Sequence, residues 1–194
     1  MTEVLITYDR QVPGEEAIAL KDGVNNLNNP RLLQLLGKTG VSVDLFRQLV
    51  NADCEWEVAP HAEEYFVEGK KLEDLTRMVA KTELGPIEIS DVKLYGGAIN
   101  PQDMGFHLKQ SPNPGFEAIL VQNGNAKMRI PDTVTPTGEL YMQSEEYTDV
   151  ALNKGDLLLL PAPVANNWSQ ASEDFEFRYI CFPRWSKDLI ASVV

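Results

Sequence analysis

Few side chains in this sequence can carry chemistry. It has two histidines, His61 and His107, and two cysteines, Cys54 and Cys181. Imidazole is the side chain that gains and loses a proton near neutral pH, so His107 is a candidate proton carrier. His61 follows Cys54 by seven positions and sits in Ala59-Pro60-His61-Ala62-Glu63-Glu64. A zinc site there would need further nitrogen or sulfur ligands, which this part of the chain lacks. The Glu63-Glu64 pair after Pro60 is instead expected to open a helix, since acids favour the first turn. Arg178, set among Phe175, Phe177, Tyr179 and Phe182, is the cation expected near a sheet, able to pair with a substrate carboxylate or with an acidic neighbour. Trp168 can stack on a ligand or fill a core. There is no G-x-S-x-G elbow, no phosphate-binding G-x-x-x-x-G-K loop, no G-x-G-x-x-G fingerprint and no C-x-x-C pair. Two histidines are also few for triad chemistry.

Composition narrows the partners. The 194 residues carry 17 Lys plus Arg against 29 Asp plus Glu, a net charge of −12. Such a surface repels phosphate backbones and anionic lipid, so nucleic acid and membrane are not expected as partners. Two cysteines make at most one bridge and fit buried thiols in a reducing compartment. The first residues show neither the basic start nor the long apolar run of a signal peptide, so a cytoplasmic location is expected. The run Leu157 to Ala165 contains two prolines and is too short to span a bilayer. A chain of this length buries a core without staples.

Two regions must position these residues. Residues 1–85 read mostly at helical period and are expected to form a partly helical region packed on the second. Glu3 to Tyr8 alternates like a strand. Asn29-Pro30 opens a helix over Arg31 to Leu36 that Gly37 ends, and Ser42 caps a second over Asp44 to Val50. Leu72, Leu75, Met78 and Val79 predict a third helix over Lys71 to Thr82. Residues 86–194 read as an all-β barrel of short strands: Ile87 to Ile99, Gly105 to Gln110, Phe116 to Gln122, Ala126 to Ile130, Glu139 to Gln143, Tyr147 to Leu152, Asp156 to Leu160, Val164 to Ser169 and Phe175 to Phe182. Asn123-Gly124-Asn125 is the sharpest hairpin signal. The fold class expected is mainly β, a jelly-roll-type barrel with a partly helical N-terminal region.

Gly105, Glu117 and Gly124 stand at the separations of G-x5-H-x-H-x3-E-x6-G, and Gly155 and Pro161 at those of G-x5-P-x-G-x2-H-x3-N. These are the two motifs of the cupin superfamily, which the second region resembles. The match is to the scaffold. Where cupins place metal-binding histidines, this chain has Ser111, Asn113 and Asn166; Glu117 alone of the four metal positions matches. Pro163 replaces the glycine after the proline, and Gln170 the final asparagine.

The resemblance implies a barrel mouth lined by these positions and, in most members, iron, manganese, nickel or zinc held by three imidazoles and a carboxylate. Hydroxyl and amide oxygens are weak donors for such metals, so no bound metal or other cofactor is expected. A carboxylate desolvated without a cation keeps its proton toward neutral pH and becomes a usable acid or base. Glu117 is then the expected catalytic group, with His107 second. Ser111, Asn113 and Asn166 could hold a carbonyl or enolate oxygen, with Trp168 and Arg178 as further substrate-binding candidates. The expected function is metal-independent binding of a small polar organic molecule with proton-transfer chemistry (isomerisation, epimerisation, cyclisation or elimination) in a biosynthetic pathway. Two alternatives stand beside it. One is a non-catalytic ligand-sensing cupin, for which a basic protein partner remains open. The other is a metal-dependent oxygenase or isomerase using His107 and Glu117, with the Ser111 to Gly115 stretch bulged. Cupins commonly pair through strand edges, so a homodimer is expected.

Overall fold

A computed structural model describes residues 3–6, 17–55, 61–67, 70–95, 115–131, 134–137, 140–143, 147–161, 167–182 and 192–193. Two short strands, β1 (Glu3–Ile6) and β2 (Ala17–Leu20), lead into a 3-10 turn, η1 (Gly23–Asn26), and two helices, α1 (Pro30–Thr39) and α2 (Val43–Asn51). The strands that follow are β3 (His61–Val67), β4 (Lys70–Thr82), β5 (Gly85–Leu94), β6 (Phe116–Asn123), β7 (Asn125–Pro131), β8 (Val134–Thr137), β9 (Leu140–Gln143), β10 (Tyr147–Asn153), β11 (Leu157–Pro161), β12 (Asn167–Ala171), β13 (Glu176–Phe182) and β14 (Ser192–Val193). The protein is mainly β. No helix among the described residues is long and apolar enough to cross a membrane.

Eight strands form the principal sheet, in the order β1-β2-β11-β6-β13-β5-β4-β3, every pair antiparallel. A second sheet has the order β10-β7-β12, and a third, β14-β9-β8, contains a parallel pair. Both faces of the principal sheet are covered. One packs on the helices, where Phe116, Ala118, Ile180, Ile87 and Ile89 meet Leu32, Leu36, Phe46 and Leu49. The other faces the second sheet, where Ile119, Val121, Leu158 and Phe177 meet Met128, Ile130, Val150 and Leu152. Two-sided cover explains why β11 reads Leu-Leu-Leu-Leu-Pro with every residue buried.

Local chemistry fixes the ends of these elements. The Asn29 side chain accepts from the backbone N–H groups of Arg31 and Leu32, with Pro30 at the first helical position. α1 runs through Gly37 and ends at Gly40, whose φ of 76° supplies the left-handed cap; the sequence reading stops the helix one glycine too early. Ser42 caps α2 as expected, its hydroxyl accepting from Leu45 N at 3.1 Å. Gly124 at φ 69° joins β6 to β7, the hairpin that Asn-Gly-Asn announces.

The helix expected over Lys71 to Thr82 is instead β4, paired with β5 from Glu73 to Thr82 and with β3 on its other edge. Met78 and Ala80 join the helix-side core while Leu75 packs on the opposite core. Apolar residues on both faces of one strand produce spacings of three and four, which imitate a helical stripe. The helix expected to open after Pro60 is likewise β3, its ladder running from His61 opposite Arg77 to Val67 opposite Lys70. Residues on both sides of position 85 therefore share one sheet, joined through the β4–β5 hairpin. The expected strand Gly105 to Gln110 lies outside the described residues.

Candidate functional site

Among the described residues, the face of the principal sheet that looks toward the second sheet carries a polar patch between apolar rows. Two adjacent rows of register partners make it. In the first, Glu117 on β6 stands opposite Cys181 on β13, which stands opposite Glu88 on β5. In the second, Tyr179 on β13 stands opposite Ser90 on β5, which stands opposite Arg77 on β4. The next row, Val121, Phe177, Val92 and Leu75, is apolar again. Six polar or thiol side chains thus share an island on four neighbouring strands, because alternate residues of a strand share a face.

The island is buried. Glu117 and Glu88 are each 5% exposed, Ser90 2% and Cys181 0%. Burying a carboxylate costs several kcal/mol unless hydrogen bonds or charges compensate, and each acid here has its own partners. The Ser90 hydroxyl donates to Glu88 Oε1 at 3.3 Å, and Arg77 Nε lies 3.8 Å from the same oxygen. On the other side, Tyr179 interacts through its side chain with both Glu117 and Cys181. Burial pushes the Tyr179 phenol well above its ordinary value, with the neighbouring charges of Glu117 and Cys181 adding to the effect. Burial does the same to the Cys181 thiol, helped by Glu117 and then Glu88, so the carboxylates on both sides act on it. Burial thus favours the neutral form of both groups. Tyr179 is partly exposed and the Arg77 side chain is 33% exposed, so the second row is the reachable edge of the island.

Of the residues singled out from the sequence, Glu117 stands within this island. Trp168 is on the same side, edge-on to Phe175 with ring centroids 5.0 Å apart and 5.1 Å from Phe177. Arg178 belongs to the opposite face. Its Nε and Nη2 donate to Asp91 Oδ1 and Oδ2 at 2.7 and 2.9 Å, and Nη1 donates to the Val50 carbonyl at 2.9 Å. It ties the end of α2 to the sheet, and its charge is taken up by an aspartate rather than presented with Glu117. His107, Ser111, Asn113 and Asn166 lie outside the described residues. His61 occupies the ladder position opposite Arg77. Cys54, after α2, has its thiol pushed up chiefly by burial and lines a surface cleft of about 590 Å³ between α2 and the β4–β5 hairpin.

The scaffold positions of the two motifs are strand ends and turns. Glu117 is the second residue of β6, and Gly124 makes the turn that ends it. Gly155 at φ 88° makes the turn between β10 and β11, and Pro161 closes β11 opposite Phe116. The chain matches no family model and no curated protein. Solved structures give partial likenesses. HppE in its Fe(II) form with (S)-1-HPP is 13% identical over 78% of this chain and 72% of that one, at a TM-score of 0.46. Oxalate decarboxylase of Bacillus subtilis is 14% identical over 67% and 30% at 0.43, and the 11S globulin of Wrightia tinctoria 12% identical over 62% and 26% at 0.43.

Four members of the island are absent from the sequence reading as site residues: Glu88, Ser90, Arg77 and Tyr179. Cys181 was expected only to pack. The run Ile87-Glu88-Ile89-Ser90 alternates as a strand with one wet face would. Only the second sheet, assembled from residues 125–131, 147–153 and 167–171, makes that face an interior. Among the described residues, no group of three or more His, Cys, Asp or Glu is arranged to hold a metal ion. Of the four metal positions of the motifs, Glu117 alone lies among the described residues.

Proposed function

We propose that this is a cupin-like protein that binds a small polar organic molecule inside its barrel and moves a proton on it, with Glu117 as the acid or base and no metal taking part. The observation that carries the reading is a carboxylate 5% exposed within a polar island on an interior face, beside a phenol and a thiol whose ionisation burial disfavours. A buried carboxylate facing neutral donors is adapted to exchange protons rather than to stabilise the fold, where an apolar residue of similar volume would serve as well. Tyr179 can donate a hydrogen bond to an oxygen that becomes negative as a neighbouring C–H bond breaks, which is the role of an oxyanion donor. The substrate class that follows is a small hydroxylated carbonyl compound.

The experiment is proton exchange in deuterated water. With D- and L-glyceraldehyde as probes, the protein should accelerate replacement of the C2 hydrogen by deuterium, followed by proton NMR, and Glu117→Gln should lower the rate for at least one enantiomer 100-fold or more. Elemental analysis of protein purified without chelator or affinity tag should find no stoichiometric transition metal. Iron, manganese, nickel or zinc at one per chain would replace this reading with metal-dependent chemistry that includes His107. A protein that binds a ligand without any exchange would be a sensor.

A further inference from the structure

The geometry points to Glu88 as a second catalytic carboxylate, opposed to Glu117 across Cys181, so that the site works with two bases on opposite sides of one substrate carbon. This rests on the proton-transfer reading above and adds to it the reaction class, inversion at a carbon next to a carbonyl.

Four observations meet here. Glu88 and Glu117 lie on the same row of the same interior face, each directly opposite Cys181. They are two strand spacings apart, about 10 Å between backbones, and the residue between them carries a short side chain. The row thus sets a longer carboxylate side chain on each flank of the Cys181 thiol. Both act electrostatically on the thiol between them. Their surroundings differ: Glu88 has a guanidinium nitrogen at 3.8 Å and a serine hydroxyl at 3.3 Å, whereas Glu117 faces Tyr179 and Cys181. Glu88 is thus the carboxylate with a cation and a hydroxyl beside it. Opposed carboxylates in unlike surroundings divide into base and acid.

The step balances without a co-reactant. The C–H bond next to the carbonyl breaks, its proton goes to the Glu88 carboxylate, and the electron pair moves into the carbonyl to give an enolate, which accepts a hydrogen bond from Tyr179. The proton carried by Glu117 then forms a new C–H bond on the opposite face as the carbonyl is restored. The reverse direction uses the same groups with their roles exchanged. Arg77 and Ser90 are positioning residues for Glu88.

Exchange of the C2 hydrogen of D- and L-glyceraldehyde, measured separately in deuterated water by proton NMR, tests this. The wild type should exchange both enantiomers. Glu88→Gln should lose exchange of one enantiomer by 100-fold or more and keep the other within about threefold, and Glu117→Gln should show the complementary loss. Should Glu88→Gln not fold, Ser90→Ala, which leaves the carboxylate in place, should selectively slow the enantiomer assigned to Glu88. Equal loss of both enantiomers in Glu88→Gln, or wild-type rates in that variant beside a dead Glu117→Gln, overturns the role of Glu88 and leaves that of Glu117 standing. No exchange of either enantiomer by the wild type overturns the proton-transfer reading itself.

Discussion

Cys181 and Tyr179 sit where a negative charge is disfavoured from several directions at once, and this has a measurable consequence for stability. Both hold their protons more tightly folded than unfolded. A group with a raised folded value contributes stability that is fully present below its unfolded value and is lost as pH rises through the folded one. The unfolded thiol ionises around 9.0 and the phenol around 10.0, so stability should start to fall above about pH 9. Thermal unfolding followed from pH 8 upward should show this decline, and Cys181→Ser should shift its onset toward the tyrosine value. A flat profile in the wild type would show that neither proton is held by the fold. Glu117 could be found in the sequence because its spacing to Gly124 matches a motif. Its partners could not, since they lie on other strands, β13, β5 and β4, which meet β6 only through the pairing of the sheet.

The elements divide into those whose signals are local and those whose signals are not. α1 and α2 have caps written beside them. Replacing Asn29 by Ala leaves two backbone N–H groups without their acceptor and should cost about 1 kcal/mol, read as a lower midpoint in urea. β6 and β7 show their turn, and β11 its terminal proline. β4 was legible only as an amphipathic segment, because its apolar residues serve the cores on both faces. η1 is fixed by contact rather than by propensity. A Cβ on Gly23 would stand 2.1 Å from Leu157 Cβ and 2.9 Å from Leu157 N, and Gly23 N donates to the Gly155 carbonyl at 2.8 Å. Gly23→Ala should therefore destabilise by about 3 kcal/mol, a Tm loss of about 10 °C by thermal scan. A loss below about 2 °C would mean that η1 moves away from β11 at little cost.

At the scale of the molecule, fold class was legible from the spacing of short strands and turns after Pro86, whereas the membership of β1 to β4 in the principal sheet was not. Sheet partners are chosen across long stretches of chain, and a single strand carries no mark of its neighbour. Among the described residues the same sheet ends at β1 and β3, and an edge strand offers its backbone groups for pairing. Pairing of a second copy along such an edge would give a homodimer, and light scattering coupled to size exclusion should return about twice the 21.7 kDa chain mass. A monomer mass would mean that these edges are protected within the chain.

The neighbour that β2 acquires on its inner side is β11, and Lys21 just after it closes on Asp156, 135 positions further on, at 2.5 Å. During synthesis at about 5–20 residues per second, β2 leaves the ribosome between about 7 and about 27 s before that partner exists. Throughout the interval Ala17, Ile18, Ala19 and Leu20, all buried in the finished protein, have only β1 to pair with. The β1–β2 hairpin is thus the part of the nascent chain where a chaperone would be expected to bind first, and where premature association between growing copies would begin.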